Sequence, residues 1–137
     1  MYTELNCSFA LKGETAQAVI DLLKYMTGEL SDAPTILPDH PLFGDTRWNY
    51  MLQSDSYYFN ADTRSVARFD DIASCVYVTI ICNVKNYNGE IEHFLDWITP
   101  HIDAYDGEFL GYKRYEEAEL PTLLIHPNRW LAVSVSA

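Results

Sequence analysis

A chain of 137 residues, 48% of them hydrophobic and 21% charged, is long enough to bury one core and short for two, so a single domain over 1–137 is expected. Twenty acids against nine bases give a formal charge of −11 and a pI near 4.5, which argues against direct contact with DNA or RNA, whose phosphates call for a basic patch. No run approaches the roughly 18 apolar residues that cross a bilayer, and Met1-Tyr2-Thr3-Glu4 lacks the layout of a signal peptide, so no membrane contact and a cytoplasmic location are expected.

Along 5–11, apolar Leu5, Cys7, Phe9 and Leu11 alternate with Asn6, Ser8 and Ala10, the period of a half-buried strand. Gly13 breaks the pattern. With Thr15 as its expected N-cap, a helix follows whose apolar face is Ala16, Val19, Ile20, Leu22, Leu23 and Met26, and Gly28 supplies its stop. Residues 29–46, with Pro34, Pro38, Pro41 and Gly44, read as a loop with one short turn at 39–43. Three short aromatic or β-branched stretches, 47–53, 56–60 and 64–70, read as strands.

Residues 74–84 carry apolar side chains on both parities, which predicts a central strand covered on both faces. A second helix starts at Glu90, with Glu92 also in its first turn, where negative charge suits the helix dipole. Its apolar face is Ile91, Phe94, Leu95, Ile98 and Ile102, and Pro100 should kink or end it. Strands are then expected at 109–116, 122–126 and 129–135.

Two short internal matches run in the same order. Setting Cys82 on Cys7 places Phe94-Leu95 on Val19-Ile20 and Trp97-Ile98 on Leu22-Leu23, and the stretch 42–48 matches 109–115 through Gly44 and Gly111, Arg47 and Arg114, Trp48 and Tyr115. The expected fold is therefore α+β, a tandem duplication of a β-α-β-β-β unit with halves at about 1–71 and 74–137, giving mainly antiparallel sheets and two amphipathic helices. Paired units in this order resemble the vicinal oxygen chelate architecture of glyoxalase-like proteins, with a sandwich of ferredoxin-like halves as the competing arrangement. The resemblance lies in element order and carries over no functional residue.

Catalytic signatures are few. Cys7, Cys75 and Cys82 fall inside expected strands with no Cys-x-x-Cys spacing, and read as buried reduced thiols. Glu90 and His93 have the Glu-x-x-His spacing of a helical metal site, yet the first helix offers no counterpart, so no metal and no cofactor are assigned. There is no Gly-x-Ser-x-Gly elbow and no glycine-rich phosphate loop. Arg47-Trp48 and Arg114-Tyr115 pair an arginine with an aromatic, a composition common on binding surfaces and equally that of a buried aromatic beside an ion pair.

Residues 90–119 hold nine acids and two bases, most of the excess charge. The favoured reading is a small interaction protein, in the role filled by immunity proteins and phage-borne inhibitors, that binds a basic protein surface through Glu90, His93, Trp97, Glu116, Glu117 and Glu119. Trp97 is expected either as a half-exposed contact anchor or, by its match to Leu22, as core. The alternative is a small-molecule binder or enzyme using a cleft between the halves, lined by some of the ten tyrosines. Self-association is left open.

Overall fold

Alternation in the first strand does what the pattern predicts. In the computed structural model, which describes residues 1–56 and 62–133, β1 (Thr3–Leu11) buries Leu5, Cys7, Phe9 and Leu11 on one face. β1 lies between two antiparallel neighbours. β3 (Cys75–Val84) pairs with it from Thr3↔Val84 to Ala10↔Tyr77, and β5 (Phe109–Tyr115) from Thr3↔Tyr115 to Cys7↔Gly111. β2 (Val66–Asp70) pairs with the outer side of β3, β6 (Thr122–Ile125) and β7 (Arg129–Ala132) extend the sheet beyond β5, and the two-residue β4 (Ile102–Asp103) pairs with the end of β1.

Helix α1 (Gln17–Thr27) buries Leu22, Leu23 and Met26, and α2 (Glu90–Ile98) buries Ile91, Phe94, Leu95, Trp97 and Ile98. Both helices share one core with the buried face of the sheet. Thr15 is not the N-cap of α1. Ala16 holds that position, and the Thr15 hydroxyl donates to the Lys12 carbonyl instead. Gly28 does end the helix: at φ 87° it lets its own N–H and that of Glu29 return to the Tyr25 and Lys24 carbonyls. Pro100 follows α2 in a 3-10 turn (Thr99–His101), which ends the helix.

The fold is α+β with a mainly antiparallel sheet and two helices. The order β2-β3-β1-β5, with α1 joining β1 to β2 and α2 joining β3 to the β4–β5 side, is that of one split β-α-β-β-α-β unit of the ferredoxin-like type, with a β6–β7 extension. Strands from both halves interleave in a single sheet rather than forming one sheet each. Among the described residues one strand follows α1 within 1–71, whereas four follow α2 within 74–137. The aligned stretches also differ: 42–48 forms a 3-10 helix (Pro41–Gly44) and a turn, while 109–115 is β5.

Two further expectations change. The strand expected at 47–53 is a turn followed by a 3-10 helix (Met51–Gln53), because Met51 and Leu52 are both fully buried and an extended chain would point one of them outward. The strand expected at 56–60 falls largely outside the described residues. β3 is interior in the sheet, as expected, with Val78, Ile80, Cys82 and Val84 buried on the core face; on the opposite face Asn83 is buried but Tyr77 is exposed.

Candidate functional site

The flank of α2 expected to meet a partner is covered by the chain's own loop 40–48. Glu90 is 0% exposed, its Oε1 accepting the Asn88 N–H at 3.0 Å and lying 3.7 Å from Arg47 Nη1. His93 Nδ1 is 2.8 Å from Asp45 Oδ2, and one turn further Asp96 Oδ2 is 2.9 Å from His40 Nε2. Trp97 is 6% exposed, with its ring centroid 5.4 Å from that of Phe43 at an interplanar angle of 88°. The Glu-x-x-His spacing thus serves to strap loop to helix. Glu90 and Trp97 present no surface to a partner, and the match of Trp97 to Leu22 identified core correctly.

Nor does the acidic segment form one patch. Glu116 is half-buried, its Oε1 accepting the Tyr2 N–H at 2.7 Å, while Glu117 and Glu119 are exposed beside it. Asp103, Asp106 and Glu108 lie at the other end of β5, whose seven residues span roughly 20 Å. That distance is about twice the Debye length at 0.1 M salt, so the two groups do not act as one field.

The end of the sheet where β1 finishes is the more distinctive surface. There the β2–β3 turn presents Ile72 at 98% exposure, next to Asp71. Asp70 builds the tip: its Oδ1 accepts the N–H groups of Ile72 at 2.9 Å and Ala73 at 3.4 Å, and Ser74 at φ 53° turns the chain into β3. About 12 Å across the sheet, two and a half strand spacings away, Tyr105 is 73% exposed between Asp103 and Asp106.

The Tyr105 loop is held in place. Gly107 N–H donates to the His126 carbonyl at 2.9 Å, His126 N–H to the Glu108 carbonyl at 2.8 Å, and Arg129 bridges Asp106 and the His126 carbonyl. Glu14, Asp70, Asp71, Asp103, Asp106 and Glu108 are acids of this end, against Lys12, Lys24 and Arg129. No ion pair joins Asp71 or Asp103 among the described residues. Periodicity could not find this surface, because Ile72 and Tyr105 sit in turns. The available signal was an apolar residue in an Asp-rich turn, where polar residues are the rule.

The two core thiols are structural. Burial pushes the Cys7 thiol up to about 12, and burial followed by the nearby Cys7 raises Cys82 as well, so both are protonated hydrophobes of the core. Cys75, at the start of β3, is half-buried. His101, with its ring 6.3 Å from Trp97, is lowered by burial and then by Lys12. Among the described residues the strands of the two halves share one sheet rather than facing each other across a cleft. Four tyrosines line hollows at the far end, Tyr87 and Tyr115 one of about 360 Å3 and Tyr2 and Tyr50 one of about 230 Å3. Comparison with protein-family models, with curated proteins and with solved structures found no match to the chain.

Proposed function

We propose that the protein binds a basic protein surface through the loop end of its sheet, with Ile72 and Tyr105 as apolar anchors and Asp71 and Asp103 as a charged rim. The supporting observation is Ile72, a full-sized aliphatic side chain held at 98% exposure on a turn stapled by Asp70, where burial against a partner removes its cost. Large apolar anchors inside a ring of charge are the usual composition of an interface centre and rim. Six carboxylates against three cations at this end favour a cationic partner and speed the encounter. A chain of charge −11 docked on a cationic groove also blocks that groove to phosphates, which is how an inhibitor of a nucleic-acid-handling enzyme would work. Of the acids singled out by sequence, Glu117 and Glu119 lie at the opposite end and are not part of this surface.

The test uses paired baits, wild type and Asp71→Lys/Asp103→Lys, for affinity capture from source cells, followed by association kinetics of the purified captured protein over a salt series. A partner of net positive charge, an association rate that falls between about 0.05 and 1 M salt, and a rate roughly tenfold lower for the variant support the reading. Rates indifferent to both salt and charge reversal overturn it.

A further inference from the structure

At the end of the sheet opposite those loops, a hollow of about 230 Å3 is lined by Tyr2, Arg47, Tyr50, Ser54 and Lys85. The chain carries twenty acids and nine bases, yet this lining holds two cations, three hydroxyls and no carboxylate. Such segregation of charge runs against the composition of the whole molecule. Asp55 and Glu116 line the adjoining hollow and are engaged there. Asp55 Oδ1 accepts from Ser56 N–H at 2.8 Å and Asn83 Nδ2 at 3.3 Å, and Glu116 Oε1 from Tyr2 N–H at 2.7 Å.

Of the two cations, Lys85 has no counter-ion among the described residues, whereas Arg47 is the ion-pair partner of Glu90 and keeps further N–H donors. Lys85 Nζ lies 5.5 Å over the Tyr2 ring and makes no ion pair with a described carboxylate. Arg47 is gripped from behind: its guanidinium is 5.8 Å from the Tyr87 ring centroid, and Nη1 is 3.7 Å from the fully buried Glu90. A buried carboxylate is costly, and Oε2 of Glu90 has no hydrogen-bond partner among the described residues. Its contact with Arg47 fixes a guanidinium whose side chain remains 27% exposed beside the hollow.

We propose that this hollow is a binding site for the phosphate monoester of a small molecule. One ammonium without a counter-ion, a guanidinium with N–H donors beyond its contact with Glu90, and three O–H groups offer more donors than a singly charged carboxylate accepts. They suit a phosphate monoester, which carries close to two negative charges near pH 7 and three terminal oxygens. The volume equals that of about seven or eight waters in the liquid, room for the phosphate and a small substituent against the Tyr2 and Tyr50 rings. The site is separate from the loop end and stands whether or not that surface binds a protein.

The experiment is a 1H–15N NMR titration of the full chain with inorganic phosphate, phenyl phosphate and acetate at constant ionic strength. Saturable shifts of the Tyr2, Arg47, Ser54 and Lys85 amides are expected with both phosphates, tighter for phenyl phosphate, with acetate at least roughly tenfold weaker. Lys85→Gln should weaken phosphate binding about tenfold or more at an unchanged unfolding midpoint. Tyr50→Phe, which keeps the ring and removes one donor, gives the same readout independently of whether Lys85→Gln folds. Shifts that never saturate, acetate binding as tightly as phosphate, or phosphate affinity unchanged in these variants would each overturn the assignment.

Discussion

Trp97→Ala separates a core tryptophan from a contact anchor. The side chain is 6% exposed and its ring packs edge-on against Phe43 at 5.4 Å, with Phe94 at 6.2 Å and His101 at 6.3 Å between centroids. Truncating a buried tryptophan costs about 3–5 kcal/mol, a large part of the roughly 5–15 kcal/mol that holds a domain of this kind folded. With a urea slope of about 2 kcal/mol/M, the midpoint should fall by roughly 2 M, read by far-UV circular dichroism. Trp97→Phe keeps most of the packing and should lose less than half as much. In a double-mutant cycle Phe43→Ala and Trp97→Ala should couple by about 0.5–1.5 kcal/mol, because each removes the ring that the other faces. A midpoint shift under about 0.5 M for Trp97→Ala, with binding to a partner lost, would refute this packing and restore the tryptophan as a surface anchor.

Three other outcomes follow from the same geometry. Cys7 at about 12 and the raised Cys82 mean that the folded state holds thiol protons more tightly than the unfolded state, whose thiols titrate near 9. The resulting stability is intact below pH 9 and is lost as pH rises toward 12, by about 1.4 kcal/mol per pH unit for each thiol. Denaturation at several alkaline pH values should show this loss in wild type and a flatter profile in Cys7→Ala/Cys82→Ala. Gly111→Ala should destabilise by about 3 kcal/mol or more in thermal unfolding, since its Cβ would overlap the Asn6 carbonyl and Cys7 Cα across the β1–β5 pairing, at a φ of 153°. Arg47→Met should cost about 3 kcal/mol by leaving the buried Glu90 without its cation, and Arg47→Met/Glu90→Gln should recover at least half of that in urea denaturation.

Period and punctuation were enough to read most of the elements. β1, both helices, β3 and the strands after α2 carry their pattern locally, and Gly28 and Pro100 end the helices as their backbone chemistry requires. What failed depended on distant parts of the chain. The stretch 47–53 resembles a strand in composition, but its conformation is set by the need to bury Met51 and Leu52 under the sheet. The charge run from Glu90 to Glu119 looked continuous because sequence distance ignores that β5 carries the chain from one end of the molecule to the other. Glu90 was read as a surface acid because its cation, Arg47, is supplied by a loop far away in sequence. The match between 42–48 and 109–115 joined a turn to a strand, showing that two apolar residues and a glycine fit either.

The placement of β1 bears on how the chain is made. The strand at the centre of the sheet is synthesised before both of its neighbours, and its first residue meets the last residues of β3 and β5: Thr3 pairs with both Val84 and Tyr115. At about 5–20 residues per second, the ribosome leaves Leu5, Cys7, Phe9 and Leu11 without a sheet partner for roughly 4–15 s before β3 is complete. Pairings that join such distant residues also close large loops late, so folding is expected in the slower range for small domains. During that interval α1 is the first helix made that offers β1 an apolar face, and the emerging β1–α1 segment stays open to chaperones and to misassembly with its own copies.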